Sequence, residues 1–256
     1  ENVLYGAVEF YNAAKKAGIK PIFGLRLVVA LNETDGTKLD LVFLAKNQRG
    51  YQHLMDLSTL QQTRKDKKAP LTVAQISPLL NELFIIIPPQ STVFSVLAQP
   101  TSILTELANL GDDDSVLLGV NSRLDDVQID TLQQLSKQLS LPLVGTSPVD
   151  YLNANDLFFF FFLQAIDAGV ELKDPTIEAE RRGQHYLHSK EQVIQDYKAK
   201  GLSAAAQKTV EVATLCNVEL QFRAPVLPHF KNQAGISSQQ YLRSLCIQGL
   251  KKRRVA

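Results

Sequence analysis

The sequence predicts an α/β fold in which helices cover a sheet of largely parallel strands. Amphipathic segments alternate with short apolar runs at four places between Leu4 and Gly145. The apolar runs are hydrophobic at consecutive positions, as expected of strands that are covered on both faces. Helices that alternate with such strands favour crossover connections, and therefore parallel pairing.

The opening segment predicts a helix that begins near Leu4 and ends at Gly18, which suits a left-handed helix stop. An apolar run, Ile19–Phe23, follows; we expect a turn at Gly24 and then a buried strand, Leu25–Leu31. Helical spacing gives the residues that should face the core: Leu4, Val8, Tyr11 and Ala14.

A hairpin is predicted next, because the Asp35-Gly36 turn signal separates Leu25–Leu31 from a second apolar run, Leu39–Ala45. These two runs should pair antiparallel. A helix over Arg49–Gln61 follows, with Tyr51, Leu54, Met55 and Leu57 on its buried side.

Three further helix–strand pairs complete the predicted sheet. Pro78 should shorten or break the first of these helices, and Asp125 should cap the last one. The pairs are Thr72–Asn81 with Leu83–Ile87, Pro100–Leu110 with Ser115–Val120, and Asp126–Leu139 with Leu141–Gly145.

The last third of the chain is predicted to be mainly helical. Its helices are Asp156–Ala168, Lys190–Lys200, Ser203–Cys216 and Ser237–Arg254. The first contains five consecutive phenylalanines, Phe158–Phe162, which one helix cannot bury on a single stripe. Three interpretations stay open: a surface for a partner, a helix buried on all sides, or a run that differs from the native side chains.

Composition narrows the function classes. The 256 residues carry 27 basic and 26 acidic side chains, a net charge of +1, so no global field favours nucleic acid or anionic membrane. The two cysteines, Cys216 and Cys246, fit a reducing compartment and two buried thiols. No apolar run approaches the roughly 20 residues of a membrane-spanning helix, and we expect a cytoplasmic protein.

No motif for an activated nucleophile, a P-loop or a dinucleotide-binding turn is present. His185 and His188 are three residues apart, but they lack the carboxylate context of a zinc helix, so surface or capping roles are favoured. Lys251, Lys252, Arg253 and Arg254 end an amphipathic helix, where cations suit the helix dipole. A contact of these four residues with nucleic acid or phosphate is a weaker alternative.

Several segments, taken in order, resemble the PHP (polymerase and histidinol phosphatase) domain at the N-terminus of bacterial DNA polymerase III alpha subunits. The resemblance covers nearly the whole chain. The segments are LYGAVEFYNAAKKAGIKPIFG (Leu4–Gly24), LVFLAKNQRGYQHLMDLS (Leu41–Ser58), LPLVGTSPVDYLNANDL (Leu141–Leu157), TVEVATLCNVEL (Thr209–Leu220), VLPHF (Val226–Phe230) and SSQQYLRSLCIQGLKKR (Ser237–Arg253).

The resemblance implies a distorted (β/α)₇ TIM-like barrel, with functional residues at the carboxyl ends of its strands. It implies a barrel domain over residues 1–170 whose first strands lie upstream, because Glu1 opens the chain almost directly on a helix. Residues 171–256 would then complete the region and lead towards the polymerase core.

The parent protein that the resemblance implies is a DNA-directed DNA polymerase that uses Mg²⁺ in its palm. No cofactor is expected in this fragment, whose partners would be the palm and thumb, DNA through the parent protein, and replisome subunits. A membrane partner is not expected.

The chain departs from the family pattern at three implied metal-ligand positions. Arg26 stands where the family has a glutamate, and Pro148 and Asp150 stand where it has aspartate and histidine. An arginine repels divalent cations and a proline side chain offers no ligand. We therefore expect no metal, and an internal ion pair between Arg26 and Asp150.

Two functions compete at this stage. The first is a degenerate, metal-free domain that supports the polymerase structurally and offers an interaction surface. The second is a metal-dependent 3′–5′ exonuclease, or a phosphoesterase of pyrophosphatase type, acting in the barrel. The loss of ligands favours the first function.

Overall fold

A computed structural model describes residues 3–31, 38–66, 69–91, 104–105, 107–109, 114–171, 185–222 and 235–253. The chain divides into two compact units, Glu1–Leu220 and Gln221–Ala256. The first unit holds the sheet and most of the helices, and the described part of the second is dominated by one helix. The proposed boundary after residue 170 stays a prediction.

The sheet of the first unit has six described strands in the order β3-β1-β2-β4-β5-β6. Strand β2 pairs antiparallel with both β1 and β4, while β4, β5 and β6 run parallel, as do β1 and β3. The strands are β1 Gly24–Ala30, β2 Lys38–Ala45, β3 Leu71–Thr72, β4 Leu83–Ile87, β5 Val116–Val120 and β6 Leu143–Gly145.

The helices alternate with these strands and then continue beyond them. They are α1 Ala7–Lys16, α2 Gln48–Gln62, α3 Val73–Ile76, α4 Asp126–Leu139, α5 Leu157–Ala168, α6 Lys190–Ala199, α7 Ser203–Leu215 and, in the second unit, α8 Ser238–Lys252. Short 3₁₀ turns, Ser77–Leu79 and Ala154–Asp156, follow α3 and precede α5. None of the helices in the described ranges is both long and apolar enough to cross a lipid bilayer.

The α/β class is confirmed, and the arrangement agrees with a distorted TIM-like barrel. The antiparallel β1–β2 pair and the parallel β4–β5–β6 set are both as predicted. The antiparallel β2–β4 pairing was not predicted, and it leaves β2 antiparallel to both of its neighbours. Within the described ranges the sheet is open, since no pairing joins β3 to β6.

The sheet is covered on both faces over its centre. On one face, alternate residues of β1 and β2 pack into the main core with α2. On the other face, Val212 and Cys216, at the end of α7, pack against β4, β5 and β6. All five residues of β4 and all five of β5 are buried, as expected of strands covered on both sides.

Several local predictions are confirmed by the geometry of helix ends. Gly18 has a φ of +68° just beyond α1. The α-helix α3 gives way to a 3₁₀ turn at the Ser77-Pro78 step. Asp125 caps α4 by accepting a hydrogen bond from the Gln128 N–H, and the Gln128 side chain accepts in return from the Asp125 N–H. These features depend on neighbours in sequence, which is why the sequence predicted them.

The turn predicted at Gly24 is wrong, because this residue is the first of β1 and pairs with Leu44. A Cβ atom at Gly24 would lie 2.6 Å from Leu44 Cδ2 and 2.9 Å from the Phe43 carbonyl oxygen. The glycine therefore allows close approach of two strands. The preceding apolar run, Ile19–Phe23, forms no strand, and the buried Phe23 ring packs against the Tyr51 ring.

Two burial predictions are also wrong. Val8 is 46% exposed, because α1 turns Ala7 and Ala14 towards the core instead. Cys246 is exposed, since α8 has no buried residue. Cys216 is buried, as predicted. The Asp35-Gly36 turn, most of the predicted helix Pro100–Leu110 and the segment Val226–Phe230 lie outside the described residues.

A first prediction concerns Gly50 in α2, where a Cβ atom would lie 2.2 Å from the Glu82 carbonyl oxygen. That carbonyl also accepts from the Lys46 N–H at 3.0 Å, so it is not free to move. We expect Gly50→Ala to lower the free energy of unfolding by about 2–3 kcal/mol in urea denaturation, through overpacking. The matched control is Gly249→Ala in α8, where a Cβ meets nothing within 4 Å and no loss is expected. Equal stability of both variants would contradict this packing.

A second prediction concerns the two thiols. Burial raises the pKa of Cys216 to about 11, against the nearby positive charges of Lys20 and Lys46, which lower it. At pH 8 about one Cys216 thiol in a thousand is then the reactive thiolate. Mass spectrometry after maleimide treatment should show Cys246 modified first, and Cys216 modified only as the pH approaches 11 or the protein unfolds. Equal rates at pH 8 would contradict the burial of Cys216.

Candidate functional site

The candidate site is a cleft of about 630 Å³ in the first unit, beside the carboxyl ends of the parallel strands. Gln90 lies beyond the end of β4, Arg123 lies beyond β5, and Pro148 and Asp150 lie beyond β6. Arg26 reaches the same cleft from β1. Carboxyl ends of neighbouring parallel strands bring residues that are distant in sequence to one edge, which is where α/β proteins place their sites.

The Arg26 guanidinium is held by Asp40 on the neighbouring strand β2. Arg26 Nε lies 2.9 Å from Asp40 Oδ1 and 3.0 Å from Oδ2, and Nη2 also donates to Oδ2. The Asp40 side chain is only 16% exposed, and its backbone N–H donates to Ser91 Oγ at 3.3 Å. The positive charge that Arg26 brings to the cleft is therefore neutralised by a carboxylate within the sheet.

Asp150 has a different partner, His185. Asp150 Oδ2 lies 2.6 Å from His185 Nδ1, and the Asp150 N–H donates to the His185 carbonyl oxygen at 2.8 Å. The Leu187 N–H donates to the Tyr151 carbonyl oxygen at 3.1 Å. Backbone hydrogen bonds therefore join the segment that contains Asp150 and Tyr151 to the segment that contains His185 and Leu187. These contacts fix the carboxylate beside the imidazole.

The three positions predicted from the family pattern thus line one cleft. Arg26, Pro148 and Asp150 are brought together by the fold. The predicted ion pair between Arg26 and Asp150 is not formed among the described residues, because Arg26 contacts Asp40 and Asp150 contacts His185. The physical reason is reach: Asp40 lies across the strand pair from Arg26, on the same face of the sheet.

A second arginine, Arg123, was missed by the sequence analysis. Its Nη1 lies 3.5 Å from the Pro148 carbonyl oxygen and its Nη2 lies 3.5 Å from His188 Nε2. The other ring nitrogen of His188 is 3.3 Å from Asp196 Oδ2. A carboxylate thus orients an imidazole that contacts the guanidinium at the cleft.

The two histidines of the predicted pair serve different contacts. His185 pairs with Asp150, while His188 pairs with Asp196 and its ring lies against the Tyr186 ring in a tilted arrangement. They do not converge on one point as two ligands of a metal would. Elsewhere, His53 Nδ1 lies 2.8 Å from the Asn81 carbonyl oxygen, a helix-to-loop contact, and His229 lies outside the described residues.

The described side chains of the cleft do not supply the ligands of a multinuclear metal centre. No group of three or more histidine, cysteine, aspartate or glutamate side chains converges in the described ranges. Pro148 contributes only a backbone carbonyl, and it accepts from Arg123. The Arg26 guanidinium lines the cleft and would repel a metal ion bound there.

Two of these residues carried signals that the sequence analysis did not use. Asp40 is the one acidic residue within the apolar run Leu39–Ala45, and such a carboxylate needs a partner when it is half-buried. Arg123 is the first charged residue after the buried strand β5. The partners of both residues lie far along the chain or across a strand pair, so the fold was needed to find them.

The basic cluster Lys251, Lys252 and Arg253 lies at the end of α8 in the second unit and is exposed. Lys251 and Lys252 are in its last turn, where they complement the helix dipole. Arg254 is outside the described residues. A phosphate contact at this cluster stays a prediction.

Comparison with known proteins identifies the region that contains β1 to β4, four of the six described strands. Residues 1–108 match the PHP domain family. These residues belong to the PHP domain family. The cleft described above involves Arg26 and Gln90 from the matched region, together with residues of the PHP chain that follow it.

The chain is also similar along almost its whole length to proteins named DNA polymerase III subunit alpha. The protein of Halalkalibacterium halodurans is 31% identical over 98% of this chain, and that of Bacillus subtilis is 27% identical over 99%. The Escherichia coli protein is 27% identical over 98%. The chain spans only 22–23% of the length of these relatives.

A third prediction tests the Arg26–Asp40 pair by a double-mutant cycle with Arg26→Ala and Asp40→Asn. Arg26→Ala leaves a poorly exposed carboxylate without this guanidinium, so it should destabilise more than the double variant does. We expect a coupling energy of about 1 kcal/mol from urea unfolding, because the contact is bidentate and half-buried.

The matched control is the Lys208–Glu211 pair, at i and i+3 of α7, with a 3.0 Å contact between Nζ and Oε2. Removing both of its charges in the same type of cycle should give a coupling of at most about 0.5 kcal/mol. Additive effects of the Arg26 and Asp40 substitutions would contradict the pair.

Proposed function

We propose that this chain is the N-terminal PHP region of a bacterial replicative DNA polymerase alpha subunit, and that it acts as a structural and interaction domain without a metal-dependent reaction of its own. The observation that carries the proposal is the Arg26–Asp40 contact in the cleft. Arg26 stands at a position where the PHP resemblance implies a metal-binding carboxylate. Its guanidinium supplies a fixed positive charge to a sheet carboxylate.

An internal cation suits a stabilising role better than a catalytic one. A divalent ion can exchange ligands and activate a bound water, which is the usual basis of metal-dependent hydrolysis. A guanidinium keeps its proton at physiological pH and cannot generate such a nucleophile. The ion pair can hold β1 and β2 together on one face of the sheet. It cannot activate a water molecule, as a bound metal ion would.

The parent protein would carry the catalytic activity. The relatives' names support a DNA-directed DNA polymerase, and this chain spans about a fifth of their length. Nucleotidyl transfer with Mg²⁺ would then take place in a palm domain outside the present sequence. The proposed partners are that palm, the thumb, DNA bound by the parent protein and other replisome subunits, all in the bacterial cytoplasm.

The rival proposal is a metal-dependent exonuclease or phosphoesterase in the PHP cleft. Asp150 and His185 favour it to a limited extent, since a carboxylate and an imidazole 2.6 Å apart are two groups that metals accept. They are already paired with each other, and Asp40 is already paired with Arg26. His185 could still bind a metal through Nε2 while Nδ1 contacts Asp150, so the rival requires further ligands beside this pair.

A fourth prediction separates the two functions in the full-length polymerase. Mn²⁺, Co²⁺ and Zn²⁺ are titrated with a chromogenic phosphodiester, with primer extension measured in parallel to show that the protein is folded. We expect extension but no metal-dependent release of the chromophore. Hydrolysis that depends on the ion and is lost in Asp150→Ala, with extension retained, would establish the rival.

A further inference from the structure

Helix α6 is connected to both of the loops that border the cleft. We call residues 121–125, between β5 and α4, the β5 loop, and residues 146–151, after β6, the β6 loop. The cleft is lined by residues of each loop, among them Arg123 and Pro148. The connections to α6 start from two consecutive residues of this helix, Asp196 and Tyr197. The helix is therefore placed to set the distance between the two loops.

Tyr197 makes the direct connection. It is 2% exposed, and its hydroxyl lies 3.1 Å from the Val120 carbonyl oxygen, at the end of β5. The same hydroxyl lies 3.1 Å from the Thr146 carbonyl oxygen, where the β6 loop begins. A Cβ atom at Gly145 would lie 3.0 Å from Tyr197 Cε1, so the Tyr197 ring packs directly against β6. One buried side chain thus joins the ends of two neighbouring parallel strands.

Asp196 makes the second connection through two other side chains. Its Oδ2 lies 3.3 Å from His188 Nδ1, and His188 Nε2 lies 3.5 Å from Arg123 Nη2. A guanidinium has only hydrogen-bond donors, so His188 Nε2 must be the acceptor and the ring proton must lie on Nδ1, facing Asp196. The His188 side chain is only 9% exposed. The two partners therefore fix both the tautomer of His188 and the orientation of its ring.

The last contact of this series reaches the β6 loop. Arg123 Nη1 lies 3.5 Å from the Pro148 carbonyl oxygen, which is at the long limit for a hydrogen bond. The Arg123 N–H donates to Asn121 Oδ1 at 3.0 Å, and this bond holds the backbone of the β5 loop but not the guanidinium. The contact with His188 supplies a second point that directs the guanidinium towards Pro148.

We propose that α6 is a clamp on the cleft, which holds the β5 loop and the β6 loop at a fixed spacing. Tyr197 acts directly, and Asp196 acts through His188 and Arg123, so both are positioning residues. Because the two connections start from consecutive residues of one helix, a displacement of α6 changes both together and alters the width of the cleft from outside it. The inference goes beyond the proposed function, since it holds whether or not the cleft has an activity.

Two backbone contacts hold the β6 loop without α6. The Thr146 N–H donates to the Val120 carbonyl oxygen at 2.8 Å, which extends the β5–β6 pairing by one residue. The Asp150 N–H donates to the His185 carbonyl oxygen at 2.8 Å, in the segment before α6. Neither contact involves the side chains of the clamp. Their amides can therefore report how firmly the clamp holds the loop.

The test is hydrogen–deuterium exchange of the full-length protein, read by mass spectrometry on peptides that cover the two loops. Tyr197→Phe removes only the hydroxyl, and Asp196→Ala removes the carboxylate that orients His188. We expect each variant to raise the exchange rate of both loops by at least about threefold, because local opening becomes easier. Peptides from β1 and β2 are the internal reference and should keep their exchange rates.

Lys200→Ala is the matched control. Lys200 directly follows α6, and its Nζ lies 2.7 Å from Asp126 Oδ1 at the start of α4, so this ion pair belongs to neither loop. Its removal should leave the exchange of both loops unchanged. The order of contacts gives a sharper test. Asp196→Ala should cause no further increase when it is added to Arg123→Gln, whereas Tyr197→Phe should still cause one.

Faster exchange that is confined to the two loops, in both clamp variants, would support the proposal. Unchanged exchange, an increase in only one of the two variants, or an equal increase in β1 and β2 would overturn it. Additive effects of Asp196→Ala and Arg123→Gln would overturn it as well. The exchange is measured without metal or substrate, so phosphodiesterase activity of the cleft would refute the proposed function and leave this result unaffected.

Discussion

A guanidinium placed against a carboxylate on the face of the sheet is the constraint on which the functional conclusions depend. Arg26 and Asp40 lie on adjacent antiparallel strands and meet through two nitrogen atoms. A divalent cation bound beside this pair would lie close to the guanidinium, which would repel it. Arg26 shares the cleft with Arg123, Asp150 and His185, so the pair accounts for only one part of the charge of the cleft.

The far side of the cleft depends on a second group of contacts. The Tyr197 hydroxyl is within 3.1 Å of the carbonyl oxygens of Val120 and Thr146, at the ends of β5 and β6. Burial raises the pKa of this phenol, so it stays a neutral hydrogen-bond donor. Tyr197 belongs to α6, which lies after residue 170 in sequence but in the same compact unit as the sheet. The helices beyond the strands therefore help to hold the loops that carry Pro148 and Asp150.

Local features were predicted well because each depends on a few adjacent residues. The cap formed by Asp125 and Gln128, the helix break at Pro78 and the helix stop at Gly18 are of this kind. Gly24 was misjudged for the opposite reason. Glycine is typical both of turns and of close backbone approach, and only the pairing with Leu44 shows which applies here. Cys246 was misjudged because its apolar helical position says nothing about whether another element covers α8.

The sequence by itself determined the alternation of helices and strands, the β1–β2 hairpin and the replacement of three implied ligand positions by Arg26, Pro148 and Asp150. Tertiary structure alone decided the partners of these side chains. Arg26 contacts Asp40, and Asp150 contacts His185. The reason is physical. Secondary structure follows from torsional preferences and the periodicity of apolar residues, whereas an ion pair requires two side chains to lie within about 4 Å. That separation is set by strand register and loop path, which no short stretch of sequence encodes.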